Sequence, residues 1–271
     1  MYGKKKAVGN RESGIGDRKS EIRNFVVGAN LRRTSRVAQR TTNNQQQTTV
    51  CGRYTFFTSA EDLESFFEAL VSQQGSIFPN YNVTPGAMMP VVAIGKDKVP
   101  VIPIFRWGLI PSWAKEANIG YKMINARRET LHEKPAFSRL LERRRCLIPT
   151  NGFFEWKPDD KAKEPVYIHL PDRAIMTFAG LWDRWASPDG QDVFSYSIIT
   201  TEADESMSHW HHRMPVMLPT SRHKDWLNND ISVRDHLDML LDVDTSRILL
   251  TPADKRLNKP SENDSGIVGL E

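Results

Sequence analysis

Of the two cysteines in the chain, Cys51 stands at a boundary: the polar tract TTNNQQQTT ends just before it, and the strand-like stretch CGRYTFF begins with it. A thiol in such a place can attack a carbonyl once a base lowers its pKa. If the backbone nitrogen of the same residue is a free amine, a second chemistry opens. An α-amine titrates near ~8 and a thiol near ~8.5, so close to neutrality a useful fraction of each is nucleophilic. A 1,2-aminothiol of this kind condenses with an aldehyde to a Schiff base and then closes a thiazolidine ring. The bland alternative is a small buried hydrophobe, the usual role of a free cysteine, and Cys146 within RRCLIP fits it.

Three further stretches carry groups that would serve such a cysteine. YKMINARRET supplies Asn125, whose amide both donates and accepts, beside Arg127 and Arg128, which suit phosphate oxygens. NGFFEWK sets Glu155 between Phe154 and Trp156, where apolar surroundings raise a carboxyl pKa and make a general acid. HWHHRMPVML supplies His209, His211 and His212. Taken singly, these also read as a surface asparagine, a solvated glutamate on an alternating strand and a stray histidine. His209 and His211 have no Cys or carboxylate at ligand spacing, so neither a metal site nor a cofactor is expected.

The elements that must position these groups follow from pattern and charge. At 271 residues with 39% hydrophobic content, the chain can bury a sizeable core. Residues 1–50 hold eleven Lys and Arg against three acids, a net of +8, so against a whole-chain charge of +4 the other 221 residues sum to 4 − 8 = −4. The body is mildly acidic, and any nucleic-acid binding must rest on local clusters. The first fifty residues lack hydrophobic periodicity and are expected to form a disordered leader, removed or not translated in the active protein. A transit peptide is disfavoured by Glu12, Asp17 and Glu21, and a start at the Val50 codon would place the initiator Met directly before Cys51.

Residues 51–271 are expected to form one α+β domain with a mainly antiparallel, barrel-like sheet core and flanking helices. Ser59 is placed to cap a helix carrying Leu63, Phe66, Phe67 and Leu70 at helical spacing. VPVIPIFRWGLIP, with three prolines, reads as edge strands and turns. KPAFSRLLERRR reads as one helix, and further helices are expected near SRHKDWLN and SVRDHLDMLL. CLIP, GFFEWK, PVYIHL, AIMTFAGLWD and VFSYSIITT read as strands separated by turn formers such as SPDGQ. Apolar runs stay far below the ~20 residues of a membrane span, and two cysteines make no disulfide framework, so a cytoplasmic or nuclear monomer is expected.

In order along the chain, CGRYTFF, YNVTPG, RWGLIPSWA, INARRET, RRCLIPTNGFFEWK, FAGLWD, SIITTEA and HHRMPVML resemble the motifs of the SRAP family, whose members cross-link covalently to abasic sites in single-stranded DNA. The resemblance covers about residues 51–220 and, more loosely, LNKPSENDSG. It implies that Cys51 is the cross-linking residue, that Asn125 holds the cysteine and the sugar, that Glu155 handles protons, and that His211 assists Schiff-base formation. It further implies phosphate contacts from Arg53 and Arg127, base stacking or wedging by Trp113 and Pro85, and a place for Thr200 in the same site. The partner implied is single-stranded DNA containing abasic sites. The chain departs from the family pattern at His212, where an acidic residue is usual, and in lacking the arginine that usually follows Asn258. Two other readings remain open: a cysteine peptidase with His211 as base, acting on itself or on other proteins, and a non-covalent binder of single-stranded nucleic acid.

Overall fold

The structure, a computed structural model, describes residues 51–73, 75–157 and 162–270. The expected leader, residues 1–50, lies outside them. In chain order the strands are β1 (Tyr54–Phe56), β2 (Leu70–Val71), β3 (Asn80–Val83), β4 (Met88–Pro90), β5 (Val92–Ile94), β6 (Pro100–Ile102), β7 (Ile104–Trp107) and β8 (Asn125–Arg127). They continue as β9 (Arg145–Thr150), β10 (Gly152–Trp156), β11 (Pro165–His169), β12 (Met176–Ala186), β13 (Asp192–Glu202), β14 (Arg213–Pro215) and β15 (Leu249–Pro252). One sheet has the order β15-β11-β10-β1-β3. The larger runs β2-β6-β5-β9-β12-β13-β7-β4, with β8 and β14 also on β13. With its few short helices this is the α+β architecture, and the sheet curls as a half-barrel.

The longest pairing, β12 with β13, follows from sequence in an ordinary way. Both strands are rich in aromatic and β-branched residues, and Ser187–Gln191 closes them into a hairpin through Ser187 N–H to Gln191 O at 2.8 Å, with Gly190 left-handed at φ 79°. Between the sheets lie Tyr54, Phe56, Trp107, Phe153, Phe178 and Tyr196, all fully or almost fully buried. Burial on that scale, at roughly 25 cal/mol per Å² of apolar surface, is what holds the two sheets together.

Three local expectations are corrected. The helix capped by Ser59 spans Ala60–Phe67 and stops there, because Glu68 turns left-handed at φ 50°; Leu70 therefore belongs to β2 and not to the helical stripe. The KPAFSRLLERRR helix is two short pieces, Pro135–Ser138 and Leu140–Arg143. The proline-rich strands are interior: β6 lies between β2 and β5, and β7 between β13 and β4. Their prolines sit at a strand start, Pro100, and in the link at Pro103, where no ladder N–H is lost from a strand centre. No helix among the described residues is long and apolar enough to cross a membrane.

Candidate active site

β1 and β10 run antiparallel with Tyr54 opposite Phe153, and the ladder continues outward through Phe154 N–H to Arg53 O at 3.1 Å. One step further, this register sets Glu155 opposite Gly52, and the Glu155 side chain reaches Cys51. The backbone N–H of Cys51 donates to Glu155 Oε1 at 2.8 Å in a buried setting. Gly152, at φ 148°, lets β10 close onto β11: a Cβ there would lie 2.4 Å from the Tyr167 ring and 2.5 Å from Ile168 O. Phe153 then joins the main core and Phe154 a smaller cluster with Tyr167, Leu257, Ile267 and Val268. Apolar packing thus encloses the Glu155 strand on both sides.

Electrostatics follow from that enclosure. Burial raises the Glu155 carboxyl to about 8, and the Cys51 N–H offsets this only in part. Burial, and secondarily the Glu155 charge, pushes the Cys51 thiol well above its usual range. Cys51 itself has a left-handed backbone, φ 44°, which is uncommon for a side chain with a Cβ. Cys146 shows the bland alternative. It sits in β9 between Ala93 and Gly180, fully buried, with its thiol pKa raised by burial.

His211 follows a turn in which its N–H and that of Trp210 donate to Met207 O. Its ring is buried, and Nδ1 accepts the Arg213 backbone N–H at 3.0 Å. A backbone N–H can only donate, so Nδ1 carries the lone pair and the neutral ring holds its proton on Nε2. That Nε2 is buried without a hydrogen-bond partner among the described residues. Burial first, and the neighbouring His212 second, lower the His211 pKa and keep the ring neutral. His212 is exposed and stacks on His211 with centroids 4.3 Å apart. His211 is therefore set up as a hydrogen-bond donor, whereas a peptidase base needs a lone pair facing its thiol.

Asn125 and Arg127 share one face of β8, which pairs in parallel with β13 so that Arg127 lies beside Thr200. Asn125 is half-buried. Arg127 is exposed, and its side chain makes no hydrogen bond or ion pair among the described residues. Thr200 is buried, and its oxygens take up Arg213 Nη2, at 2.8 Å to the carbonyl and 3.3 Å to the hydroxyl. Arg53 is half-buried and turned inward: Nη1 donates to Asn82 Oδ1 and to Leu257 O, each at 2.6 Å. Asn258 is likewise occupied, by Trp156 Nε1 and by Lys163 O. Trp113 is 55% exposed on a loop pinned to β12 through Ser112 N–H to Asp183 and Trp185 Nε1 to Ala114 O. Pro85 is half-buried at the turn before β4.

Sequence reasoning missed Arg213, Glu129, Arg106 and Tyr121. Arg213 Nη2 also meets Glu129 Oε2 at 2.9 Å, which braces the segment that sets the His211 tautomer. Its only sequence signal was its place inside HHRMPVML. Tyr121, 62% exposed, carries the Arg106 guanidinium 4.9 Å from its ring centroid, and both lie against Gly86, next to Pro85. Gly108, at φ 110°, allows this: a Cβ there would stand 2.6 Å from Gly120 O, so only glycine lets the Tyr121 turn seat on the end of β7.

The model for SOS response associated peptidase (SRAP) matches residues 50–260, and the chain belongs to that family. It is 39% identical over 228 residues to the abasic site processing protein YoaM of Bacillus subtilis (strain 168), covering 82% of this chain and 99% of the relative. To the abasic site processing protein HMCES of Xenopus tropicalis it is 30% identical over 193 residues, 60% of this chain and 58% of the relative. A crystal structure of a Bacteroides thetaiotaomicron protein superposes with a TM-score of 0.74 at 27% identity, covering 82% of this chain and 100% of that one. That of a phage-related protein from Bordetella bronchiseptica gives 0.62 at 26% identity, covering 76% and 95%.

The raised Glu155 pKa has a consequence for folding. A carboxyl whose folded pKa exceeds its unfolded value favours the folded chain fully below about 4.5, and that contribution is lost as pH rises to about 8. Glu155→Gln keeps the acceptor for Cys51 N–H and removes the titration. Its melting temperature is expected to gain on that of the natural chain as the pH is raised from 5 to 9. Parallel melting curves for both chains over that range would contradict the buried-acid assignment.

Proposed function

We propose that the chain captures abasic sites in single-stranded DNA covalently, through the amine and thiol of Cys51. The observation that carries this reading is the 2.8 Å contact between Cys51 N and the Glu155 carboxyl, which is buried and whose pKa burial raises. The names of the B. subtilis and Xenopus relatives supply the substrate class. In the reaction the amine adds to the C1′ aldehyde of the ring-opened sugar. The carbinolamine expels water, and Glu155 supplies the proton that makes hydroxide a leaving group. The thiol then adds to the imine carbon, its proton passing to nitrogen, to close a ring of N, Cα, Cβ, S and C1′. The balance is one aldehyde plus one aminothiol to one thiazolidine and one water.

In this scheme the His211 Nε2–H hydrogen-bonds a developing oxygen of the sugar, and Asn125 orients it. The chemistry needs an amine, so the active form begins at Cys51, and residues 1–50 are absent from it. Self-cleavage at Val50–Cys51, or initiation at codon 50 followed by removal of the initiator Met, would each yield that form, in a cytoplasmic or nuclear setting. Arg127 holds a phosphate, while Trp113, Pro85 and Tyr121 present apolar surface to unpaired bases. Stacking of this kind contributes ~1–3 kcal/mol per base whatever the base, so a local groove serves on a net acidic body.

The test is to incubate a chain beginning at Cys51 with an abasic single-stranded oligonucleotide, without reductant. A heat-stable band on a denaturing gel is expected, with an intact mass equal to protein plus DNA less one water. A band that appears only after borohydride trapping would mean a simple imine and overturn the thiazolidine. On undamaged single strands, Arg127→Ala is expected to weaken binding and lower the salt slope by about 0.7. Trp113→Ala should weaken binding at an unchanged slope. Titrations at several salt concentrations check both, and unaltered affinity in both variants would remove the groove.

A further inference from the structure

Lys157 directly follows Trp156, the last residue of β10, and stands two residues after Glu155. Its ammonium stands over the indole of Trp210, 4.8 Å from the ring centroid. Lys157 is exposed and makes no ion pair among the described residues; it lies on an aromatic ring and not against a carboxylate. Trp210 is half-buried, packs against the main core, and immediately precedes His211. The contact therefore ties the strand that carries the acid to the loop that carries the Nε2–H donor. Those two segments are separated by more than fifty residues of sequence.

We infer that Lys157 is a positioning residue, acting through its cation–π contact with Trp210 to latch the His211 loop onto the Glu155 strand so that both groups meet one reacting sugar. This rests on the covalent-capture reading above. The bond to the ring is electrostatic, so the role asks for a positive charge at the end of a long stem and not for an amine as such. Arginine satisfies that requirement; methionine, with a similar stem and no charge, does not. Because the latch acts on the geometry of reaction and not on the grip on DNA, its loss falls on the rate at saturating DNA.

The experiment measures single-turnover adduct formation by the chain beginning at Cys51 against increasing abasic oligonucleotide, alongside binding to undamaged single strands at several salt concentrations. Lys157→Met is expected to lower the saturating rate by about 2- to 10-fold with affinity and salt slope unchanged, the scale of a surface-to-partly-desolvated cation–π contact. Lys157→Arg should restore the rate. Trp210→Leu should slow it to the same degree, and the Lys157→Met/Trp210→Leu pair should be no slower than either alone. Losses that multiply, an unchanged rate in Lys157→Met, or a fall in affinity and salt slope marking Lys157 as a phosphate contact would each overturn the latch. The two Lys157 variants alter an exposed side chain, so they decide the matter even if Trp210→Leu fails to fold. If the unaltered protein forms no adduct, the covalent-capture reading fails and the latch falls with it. If it does so while the variants behave otherwise than stated, only the latch is wrong.

Discussion

Cys51→Ala is expected to abolish the heat-stable protein–DNA band, and Cys146→Ala to leave it intact. The contrast follows from position and not from residue type, since both thiols are buried and burial raises both. Cys146 lies mid-strand between β5 and β12, where neither its backbone nitrogen nor its sulfur can reach a sugar without opening the sheet. Cys51 lies before the first residue of β1, beside Glu155. Replacing Cys51 by Ser gives a finer result: an amine is still present, so an imine forms and is trapped by borohydride, while the reductant-free band is lost. Quantified gels with and without borohydride separate the two steps. A reductant-free band from Cys51→Ala, or its loss in Cys146→Ala, would place the chemistry elsewhere.

Glu155→Gln is expected to slow adduct formation by roughly 10²-fold or more, the usual worth of a positioned general acid. The substitution keeps the shape and the acceptor and removes only the proton. The natural enclosure holds that proton to about pH 8 while the chain runs unbroken through Cys51. In the chain that begins at Cys51, an ammonium at the same nitrogen draws the carboxyl downward, so the alkaline limb of the rate profile lies at or below about pH 8. The acid form is the active one; the rate therefore falls as the pH rises through that limb. Glu155→Gln should show no such limb. A profile identical in shape and height to that of the natural residue would leave Glu155 a structural role only.

Much of this arrangement was legible in the sequence because strands and short motifs carry local signals. The five segments from CLIP to VFSYSIITT all form strands, and the Ser59 cap starts its helix where expected. What escaped depended on tertiary pairing. Nothing local states that β7 runs parallel to β13, which makes a proline-flanked segment an interior strand. Glu68 ends a helix whose apolar spacing runs on to Leu70, because spacing does not report a left-handed cap. The site shows the same division. Sequence singles out Cys51, Asn125, Glu155 and His211 by type as candidates, yet the inward turn of Arg53 to Asn82 and Leu257 depends on a segment about 200 residues away. The His211 tautomer depends on a backbone N–H two residues on, and the Tyr121 platform on two glycines meeting across a turn.

The central claim is that the nitrogen of Cys51 does the chemistry. A peptide bond from Val50 makes that nitrogen an amide, whose lone pair is delocalised and forms no Schiff base. The most direct measurement compares two chains with the same abasic oligonucleotide: one beginning at Cys51, and the full 271-residue chain shown by intact mass to remain uncleaved throughout the reaction. The account predicts a thiazolidine adduct, protein plus DNA less one water, from the first and none from the second. A thiazolidine-mass adduct at Cys51 of the uncleaved chain would contradict it.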